Sequence, residues 1–350
     1  MRVALVGLGE AGFGMHLPAL SGMAGVQLAG VCDRDAGRRD LAAARFAVPA
    51  FDDVDRLLGE TAPEAVVIAT PPDSHVDLCL RALAAGAHVV CEKPFVPTVA
   101  EADRVIAAAR TAVRGVAVNH QFREMPIFRA LLGDPIHAEG LAFAQVWQNV
   151  DLPPGSETGW RGELERRSLF EAGVHLVDFL LALFREAPVT VQASTSACGL
   201  GPGAGDAVVL LTLEFSGGRL AHLTQDRIGK GERQYFEARA DTRLASYRAS
   251  FGGRLRLSAG LHRSTSPHLR FERGLSGTAW REVGSRRTQL ARNPRAPMVA
   301  ATRRVLEESF AAFRSGTPPP AGAAGARDVV RVVEAAYESA ASGRRVRPDA

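Results

Sequence analysis

Short apolar runs alternate with helical patterns through the first third of the chain. The apolar runs predict strands at 2–6, 26–32, 48–51, 65–69, 87–91 and 114–118. The segments between these runs predict helices at 13–23, 36–46, 53–59, 74–85 and 98–112. Continuous apolar strands that alternate with helices indicate a parallel sheet covered on both faces, and right-handed crossovers favour a doubly wound arrangement. We therefore predict an α/β domain over residues 1–122.

The pattern changes after about residue 122. Helices are predicted at 123–133 and 169–185, and a strand is predicted at 137–148. Further strand-like stretches then follow one another at 188–198, 207–215, 219–226, 234–241, 244–250, 254–258, 268–273 and 279–283. Strands without intervening helices predict an antiparallel sheet. We therefore predict a second domain, over 123–350, of α+β class with an open, mainly antiparallel sheet.

Turn signals and two closing helices complete this second domain. Ser216-Gly217-Gly218 predicts a hairpin, and a polar loop with Pro153, Pro154 and Gly155 follows the strand at 137–148. The closing helices are predicted at 297–314 and 326–342. They are candidates to pack back on the first domain.

Composition and charge narrow the class of protein. Hydrophobic residues make up 46% of the chain and charged residues 23%, as in ordinary globular proteins. The net charge is +4, and 38 acidic residues are interspersed with the basic ones. This mixture is not typical of a nucleic-acid-binding surface. No apolar run approaches the ~20 residues of a membrane span. The four cysteines show no paired spacing, which favours a reducing compartment, so we expect a cytoplasmic protein. We expect no metal, nucleic-acid or membrane partner.

A glycine motif follows the first predicted strand and opens the first helix. It reads Gly7-Leu8-Gly9-Glu10-Ala11-Gly12. The first glycine allows a tight turn, the second lets the backbone approach a pyrophosphate, and the third lets helix and strand pack closely. The helix N-terminus then faces the phosphates. We predict a dinucleotide site that uses Gly7, Gly9, Glu10, Ala11 and Gly12.

The end of the second predicted strand bears on the choice between NAD and NADP. Asp33 lies there, and a carboxylate at this place accepts ribose hydroxyls and repels a 2′-phosphate. Arg34, Arg38 and Arg39 lie close by and are suited to binding that phosphate instead. We expect NAD or NADP as the cofactor, with NAD preferred.

Two more loops follow predicted strands and are expected to border the cofactor, because ligands of open α/β sheets lie beyond the carboxyl ends of the strands. Thr70 and Pro71 lie in the first loop. His75 follows and is expected to have a structural role at the site. The alternative is a solvent-exposed histidine near the start of a helix. The second loop contains Glu92 and Lys93.

Lys93 is unusual in its chemistry for this chain. Only two of the 42 cationic side chains are lysines, Lys93 and Lys230, and the rest are arginines. Arginine stays protonated and is a planar fork, whereas lysine is a compact charge suited to a single reacting oxygen.

The predicted apolar helix at 169–185 carries Glu171, His175 and Asp178 on one narrow face. Ionisable groups on an apolar helix are costly to bury unless they are paired or functional. Oxidation of an alcohol by hydride transfer needs a base for the hydroxyl proton, and a neutral His175 suits that role. Lys93 suits stabilisation of the same oxygen. Glu171 would orient the imidazole or bind a neighbouring substrate hydroxyl, and Asp178 would be structural or near the substrate.

These motifs together resemble a known family. Gly-x-Gly-x-x-Gly, Thr-Pro-Pro-x-x-His, Glu-Lys-Pro and Gly-x-His-x-x-Asp, in this order, resemble the Gfo/Idh/MocA oxidoreductases over nearly the whole chain. The resemblance implies an N-terminal Rossmann domain and a C-terminal α+β domain whose open sheet often mediates dimers or tetramers. It implies that Lys93 and His175 are the catalytic lysine and histidine, and that a homodimer or homotetramer forms.

The chain departs from the family pattern in two places. Glu171 stands where the family usually has an aspartate, and Arg166 and Arg167 stand near a usual glycine cluster. Arginines there are suited to gripping a carboxylate or phosphate, with solvent-exposed arginines as the alternative. The substrate is therefore expected to be a small molecule, with an anionic group as a hypothesis. Further candidates for substrate contacts are Asn119, Trp160 and Arg161.

The function expected from this resemblance is an NAD(P)-dependent dehydrogenase or reductase acting on CH-OH groups. The substrate class is a sugar, sugar derivative, cyclitol or related biosynthetic intermediate. One alternative is reduction of an imine or another biosynthetic intermediate. The other is a non-catalytic dinucleotide-sensing protein, which would need neither Lys93 nor His175.

Overall fold

The computed structural model describes residues 1–151, 159–162, 164, 166–200, 205–230, 235–251, 256–261, 267–272 and 277–348. It divides into two compact units. The first contains Met1–Glu124 and Met298–Ala335, and the second contains Met125–Pro297 and Ala336–Ala350. The ranges 1–122 and 123–350 stay a prediction about domains, with the difference that Met298–Ala335 groups with the first unit.

The first unit contains a six-stranded parallel sheet with the strand order β3-β2-β1-β4-β5-β6. Its strands are β1 Arg2–Val6, β2 Gln27–Cys32, β3 Ala50–Phe51, β4 Ala65–Ile68, β5 His88–Cys91 and β6 Val116–Val118. The chain fills one half of the sheet outward from β1 and then returns to start the other half at β4. This confirms the doubly wound fold, and it puts a switch point between β1 and β4 where such sheets bind ligands.

Helices cover both faces of this sheet. They are α1 Leu17–Leu20, α2 Ala36–Phe46, α3 Val54–Thr61, α4 His75–Ala84 and α5 Val99–Ala112. Val3 and Leu5 of β1 belong to one buried cluster and Ala4 and Val6 to another, because successive side chains of a strand point to opposite faces. Apolar residues at every position of β1 after its first are therefore explained by burial on both faces.

The second unit begins with short helices, α6 Pro126–Arg129 and α7 Asp134–Ala138, and later contains α8 Val174–Phe184. Its eight-stranded sheet has the order β16-β15-β12-β11-β7-β10-β9-β8. The strands are β7 Leu141–Asn149, β8 Thr190–Ser196, β9 Val208–Glu214, β10 Leu220–Asp226, β11 Tyr235–Thr242, β12 Ser246–Phe251, β15 Thr278–Val283 and β16 Arg286–Arg292. Strands β13 Arg256–Leu261 and β14 Pro267–Glu272 form a separate pair. All neighbours are antiparallel except β7 and β10, which confirms the mainly antiparallel prediction.

Two long helices close the chain, α9 Pro297–Ser315 and α10 Ala323–Ser342. Leu306, Phe310 and Phe313 of α9 lie in the buried cluster that also holds Val3 and Leu5. Helix α9 therefore covers one face of the parallel sheet.

The structure departs from the sequence prediction at several places. The helix predicted at 13–23 begins with the π-helical turn Gly12–His16, and that predicted at 123–133 is reduced to Pro126–Arg129. The strand predicted at 137–148 begins only at Leu141, because Asp134–Ala138 is a short helix with a proline at its start. Strand β16 was missed because its residues are mostly polar and exposed. The predicted helix at 169–185 starts as a π-helical turn, Ser168–Gly173, before α8. The predicted loop with Pro153, Pro154 and Gly155 lies outside the described residues.

Candidate functional site

Gly7 and Gly12 are required by the packing of the turn after β1. Gly7 has a φ of +96°, and a Cβ atom on it would lie 2.5 Å from the carbonyl oxygen of Ala69. A Cβ atom on Gly12 would lie 1.9 Å from the carbonyl oxygen of Gly7. A side chain on Gly7 would therefore push the turn away from the backbone that follows β4, and one on Gly12 would push the helical turn Gly12–His16 away from the turn after β1.

Gly9 is not required by the fold in this way. Among the described residues, a Cβ atom on Gly9 would meet only the Nη1 atom of Arg38, at 3.9 Å. The space beside its backbone fits a pyrophosphate, whose approach to the main chain is the role of the second glycine in this motif. Glu10 is exposed and Ala11 half-buried at the start of the helical turn. The residues present therefore fit a dinucleotide.

Asp33 is tied to the glycine turn. Its Oδ2 atom accepts a hydrogen bond from the Leu8 amide at 2.6 Å, and its Oδ1 atom accepts one from the Asp35 amide at 2.9 Å. Each carboxylate oxygen has a further lone pair, which suits a ribose hydroxyl. The Nη1 atom of Arg38 lies 3.9 Å from Oδ2, so a carboxylate and a guanidinium both lie at the end of β2.

The three arginines after β2 are placed differently. Arg34 and Arg38 are exposed. The Nη1 atom of Arg39 donates to the carbonyl oxygens of Asp33 and Arg34, at 2.9 Å each, and so holds the loop. Arg34 and Arg38 are therefore the two that a 2′-phosphate would meet in solvent.

The loop after β4 is closed by its own side chains. Thr70 Oγ1 lies 2.7 Å from Ser74 Oγ, and that hydroxyl donates to the carbonyl oxygen of Pro71 at 2.7 Å. These bonds fix the backbone of Thr70 and Pro71 just before α4.

His75 joins this loop to the loop after β5. The side chain is fully buried, which excludes the alternative of a solvent-exposed histidine. Its Nε2 atom lies 2.9 Å from the carbonyl oxygen of Thr70, and its Nδ1 atom lies 2.9 Å from that of Pro94 and 3.0 Å from that of Phe95. His75 therefore braces two loops through their main chains.

Glu92 is the centre of a buried polar network at the end of β5. Its Oε1 atom lies 2.8 Å from His16 Nε2 and accepts a hydrogen bond from Asn119 Nδ2 at 2.6 Å. Its Oε2 atom accepts one from the Lys93 amide at 3.0 Å. Burial alone would raise the pKa of Glu92, but the hydrogen bond and charge of His16, the charge of Lys93 and the bond from Asn119 outweigh it and lower the pKa to about 2.

Lys93 follows directly, with a half-buried side chain and a cis peptide bond to Pro94. Its backbone is held by Glu92 on one side, while His75 contacts the carbonyl of Pro94 on the other. The loop that presents the amine is thus fixed from both directions.

In the second unit, Asp206 caps the helix that carries the predicted catalytic face. Its carboxylate accepts hydrogen bonds from the amides of Arg167 and Ser168 at 2.8 Å and of Leu169 at 3.0 Å. The hydroxyl of Tyr337 donates to it at 2.7 Å. The carboxylate satisfies amides that have no partner inside the helix, which fixes the start of the π-helical turn.

Glu171, His175 and Asp178 lie on this helix, but not with purely α-helical spacing. Glu171 lies in the π-helical turn, whereas His175 and Asp178 lie in α8, and both of these are 3% exposed. Single π-helical turns inside helices are frequent at functional sites.

Arg161 lies between Trp160 and Glu171. The guanidinium of Arg161 lies over the Trp160 ring, 4.6 Å from its centroid, and its Nε atom lies 3.4 Å from Glu171 Oε1. The structure thus brings together three of the predicted site residues of this unit. Asn119, also predicted to contact substrate, lies instead in the first unit beside Glu92.

Arg166 and Arg167 differ in their surroundings. Arg166 is exposed and lies over the Tyr337 ring, 5.1 Å from its centroid, while Arg167 is only 5% exposed. Burial, followed by the charge of Arg227, lowers the pKa of Arg167 to about 10. Arg227 is itself 5% exposed, and burial lowers its pKa as well.

Several residues of these networks were missed by sequence reasoning. They are His16, Asp206, Arg227 and Tyr337. His16 lies four residues after Gly12, a spacing that would have placed it one helical turn into the dinucleotide motif. The other three carry no local sequence signal.

Comparisons with known proteins agree with both folds. The sequence model of an oxidoreductase family with an NAD-binding Rossmann fold matches residues 1–120, and that of the GFO/IDH/MocA C-terminal domain matches residues 129–246. An oxidoreductase from Agrobacterium radiobacter, crystallised with NAD⁺, L-tartaric acid and magnesium, superposes with a TM-score of 0.82. The match covers 100% of this chain and 98% of that one at 21% identity, and so supports the fold alone.

Curated relatives match over part of their length. A 1,5-anhydro-D-fructose reductase from Ensifer adhaerens is 30% identical over 48% of this chain and 52% of its own. An inositol 2-dehydrogenase from Leifsonia xyli is 40% identical over 33% of this chain and 34% of its own. The chain thus matches about half or less of the length of these two relatives. The two domain models of one family, matched in order over the glycine turn, the Lys93 loop and the His175 helix, show that the chain belongs to the Gfo/Idh/MocA oxidoreductase family.

Proposed function

We propose that the protein transfers a hydride between NAD or NADP and a secondary alcohol or ketone carbon of a sugar, sugar derivative, cyclitol or related intermediate. The observation that carries this proposal is the placement of Lys93. Its loop follows β5, is braced by Glu92 and His75, and lies at the edge of the sheet that holds the glycine turn. Open α/β sheets bind ligands at that edge. The names of the relatives, an anhydrofructose reductase and an inositol dehydrogenase, support this substrate class.

For the cofactor, we propose contacts along this edge of the first unit. The contacting residues are Gly7, Gly9, Glu10, Ala11, Gly12, Asp33, Arg34, Thr70, Pro71, His75, Glu92 and Lys93. The carboxylate of Glu92 and the imidazole of His75 also bond to protein groups and so help to hold the Lys93 loop.

Bound nicotinamide supplies the hydride acceptor or donor. In the oxidative direction the alcohol gives up a hydride from carbon and a proton from oxygen, and a ketone is formed. We propose that His175 takes the proton on a ring nitrogen. The ammonium of Lys93 holds the same oxygen and stabilises its developing negative charge. Glu171 orients the imidazole or binds a neighbouring substrate hydroxyl, and Asp178 supports the helix or contacts substrate.

For the substrate, we propose a small molecule that contacts Trp160 and Arg161. The aromatic face of Trp160 suits a sugar ring. The contact predicted for Asn119 also stays a proposal. We further propose that the substrate carries an anionic group, which Arg166 and Arg167 would bind. Of the two arginines named for it, only Arg167 is buried.

The first experiment is a fluorescence titration with NADH and NADPH, followed by a turnover screen over polyols, sugar nucleotides, keto compounds and cyclic imines. Turnover of an alcohol or ketone supports the proposal. Turnover of imines alone would favour the imine-reductase alternative, and cofactor binding without any turnover would favour a sensor. Absence of cofactor binding would contradict all three.

We also propose that a second copy of the chain covers the outer face of the eight-stranded sheet, giving a homodimer or homotetramer. Leu210 on β9 and Leu220 on β10 point away from the buried face and are 45% and 42% exposed. Light scattering on wild type and Leu210→Glu tests this, because a charge in a covered face weakens association.

A cytoplasmic location is likewise a proposal. All four cysteines are free, and three of them are buried, which suits a reducing compartment. Within the described ranges, none of the helices combines the length and the apolar character needed to cross a bilayer.

A further inference from the structure

A polar group of side chains interrupts the apolar inner face of the second unit's sheet. On β7, β9 and β10 this face is lined mainly by Ala, Val and Leu side chains that are 0% exposed. Near the carboxyl ends of the parallel pair β7 and β10 the composition changes. Gln148 and Gln225 lie directly opposite each other in register, and they are 5% and 0% exposed.

Among the residues that the structure describes, both glutamines have buried polar atoms without a hydrogen-bond partner. Gln225 has none at either Oε1 or Nε2 within the described part of the chain, and Gln148 has none at Oε1. Leaving such a group unsatisfied costs about 1–3 kcal/mol, so native proteins rarely keep one without a use. Gln225 is a fully buried amide near the carboxyl ends of two central strands, which makes it a candidate to bind a polar ligand.

Arg227 extends the same face. Its amide donates to the carbonyl of Ala207 at 3.0 Å, which continues the antiparallel register that pairs Gln225 with Val209. Because alternate residues of a strand share a face, the side chain of Arg227 lies on the side of Gln225. The neighbouring residue Asp206 anchors the backbone of Arg167. The short segment 206–207 therefore holds both buried arginines near the start of the helix that carries His175.

The charges of this cluster favour an anion. Arg167 and Arg227 interact with the charges of Glu171 and Asp206, and Arg161 forms an ion pair with Glu171. Asp206 already accepts bonds from three amides and the Tyr337 hydroxyl, and Glu171 lies 3.4 Å from Arg161. Burial, followed by the charge of Arg227, lowers the pKa of Arg167, and a bound anion would oppose both effects.

We propose that Arg167, Arg227 and Gln225 bind an anionic oxygen group, a carboxylate or a phosphate, carried by a sugar-derived substrate. The guanidiniums offer charge-assisted hydrogen bonds, and the amide Nε2 of Gln225 donates another. This inference rests on the proposed function, because it names the substrate class of the same site: sugar acids or sugar phosphates rather than neutral polyols.

The test is a binding measurement that does not require turnover. Isothermal titration calorimetry on the full chain saturated with NADH compares D-glucuronate with D-glucose, and D-gluconate with D-sorbitol, pairs that differ by a carboxylate. D-glucose 6-phosphate is the arm for a phosphate. We expect at least one anionic ligand to bind about tenfold or more tightly than its neutral counterpart. Equal affinities in every pair would overturn the inference.

Variants then assign the preference to residues. Arg167→Gln and Arg227→Gln should each reduce the affinity for the preferred anion by about tenfold or more and leave the neutral ligand unaffected. The matched control is Arg345→Gln, which removes an arginine with a side chain 65% exposed in the same unit. If the anion preference survives in both buried variants, the arginines serve only the protein's own ion pairs and the inference fails.

Gln225→Leu keeps the test open if an arginine variant does not fold. Because the amide has no partner within the described chain, its replacement should leave the unfolding temperature equal or higher while the affinity for the anion falls. A lower unfolding temperature with unchanged affinity would show a structural amide and contradict its role here. Anion binding without turnover would sink the proposed function alone, whereas turnover of neutral sugars without anion preference would sink this inference alone.

Discussion

The buried carboxylate of Glu92 lies 2.8 Å from the imidazole of His16, within the network that fixes the backbone of Lys93. Glu92 follows β5, and His16 ends the helical turn of the glycine motif, so one hydrogen bond links two loops of the predicted cofactor site. Asn119 adds a second bond to the same oxygen. The lysine loop is therefore held by groups of the proposed cofactor site.

This network should make stability depend on acid pH. The pKa of Glu92 falls from its usual 4.5 to about 2 on folding, so its stabilising contribution is complete above pH 4.5 and is lost as the pH falls towards 2. The difference corresponds to roughly 3 kcal/mol. Urea unfolding between pH 5 and pH 3 should show a steeper loss of unfolding free energy in wild type than in Glu92→Gln. Glu60→Gln, at an exposed ion pair, should keep the wild-type slope, and equal slopes in all three proteins would contradict the prediction.

Asp33 should matter for the binding of NADH, and Arg38 should matter more for the binding of NADPH. Asp33→Ala removes the ribose acceptor and should raise the Kd for NADH by about tenfold, whereas Arg38→Ala should weaken NADPH more than NADH. Fluorescence titration with each nucleotide measures both effects. An unchanged Kd for NADH in Asp33→Ala would place the ribose contact elsewhere.

His75 should affect cofactor binding through the two loops that it braces. His75→Ala leaves three carbonyl oxygens without their imidazole and should cost about 2 kcal/mol of stability as well as weakening NADH binding several-fold. His88 is the matched control, because it lies at the start of β5, away from the Lys93 loop that follows the strand. Its ring stacks on Phe313 and accepts a hydrogen bond from the Gly115 amide. His88→Ala should lower the unfolding temperature but leave the Kd for NADH unchanged. Equal effects of the two variants on the Kd would refute the bracing role.

Gly12 and Gly14 offer a second matched pair. A Cβ atom on Gly12 would lie 1.9 Å from a carbonyl oxygen, whereas one on Gly14 would meet nothing within 4 Å. Gly12→Ala should destabilise the protein by several kcal/mol, roughly 3 or more, because backbone must move. Gly14→Ala should change stability by about 1 kcal/mol at most. Thermal unfolding of the two variants checks this contrast.

Sequence patterns predicted what local chemistry decides. The alternation of strands and helices predicted the parallel sheet, since its strands are mainly apolar on both faces. The spacing of Gly7, Gly9 and Gly12 was enough to place the turn. The networks around Glu92 and Asp206 depend on partners far along the chain, such as Asn119 and Tyr337, and no local pattern encodes them. Nothing in the sequence distinguishes Arg227 from the other arginines, and only the register of β10 places its side chain on the buried face. The π-helical turn before α8 was also beyond prediction, because apolar spacing alone does not distinguish it from an α-helix.

The central claim is that Lys93 and His175 act on the substrate and are not needed to hold the cofactor. The most direct measurement compares NADH affinity with kcat for the best substrate of the turnover screen in wild type, Lys93→Ala and His175→Ala. We predict a Kd for NADH within about threefold of wild type and a kcat reduced by about a thousandfold in each variant. Lys93→Arg should not restore the rate, because a planar guanidinium does not replace a compact ammonium. Wild-type rates in both alanine variants would contradict the account.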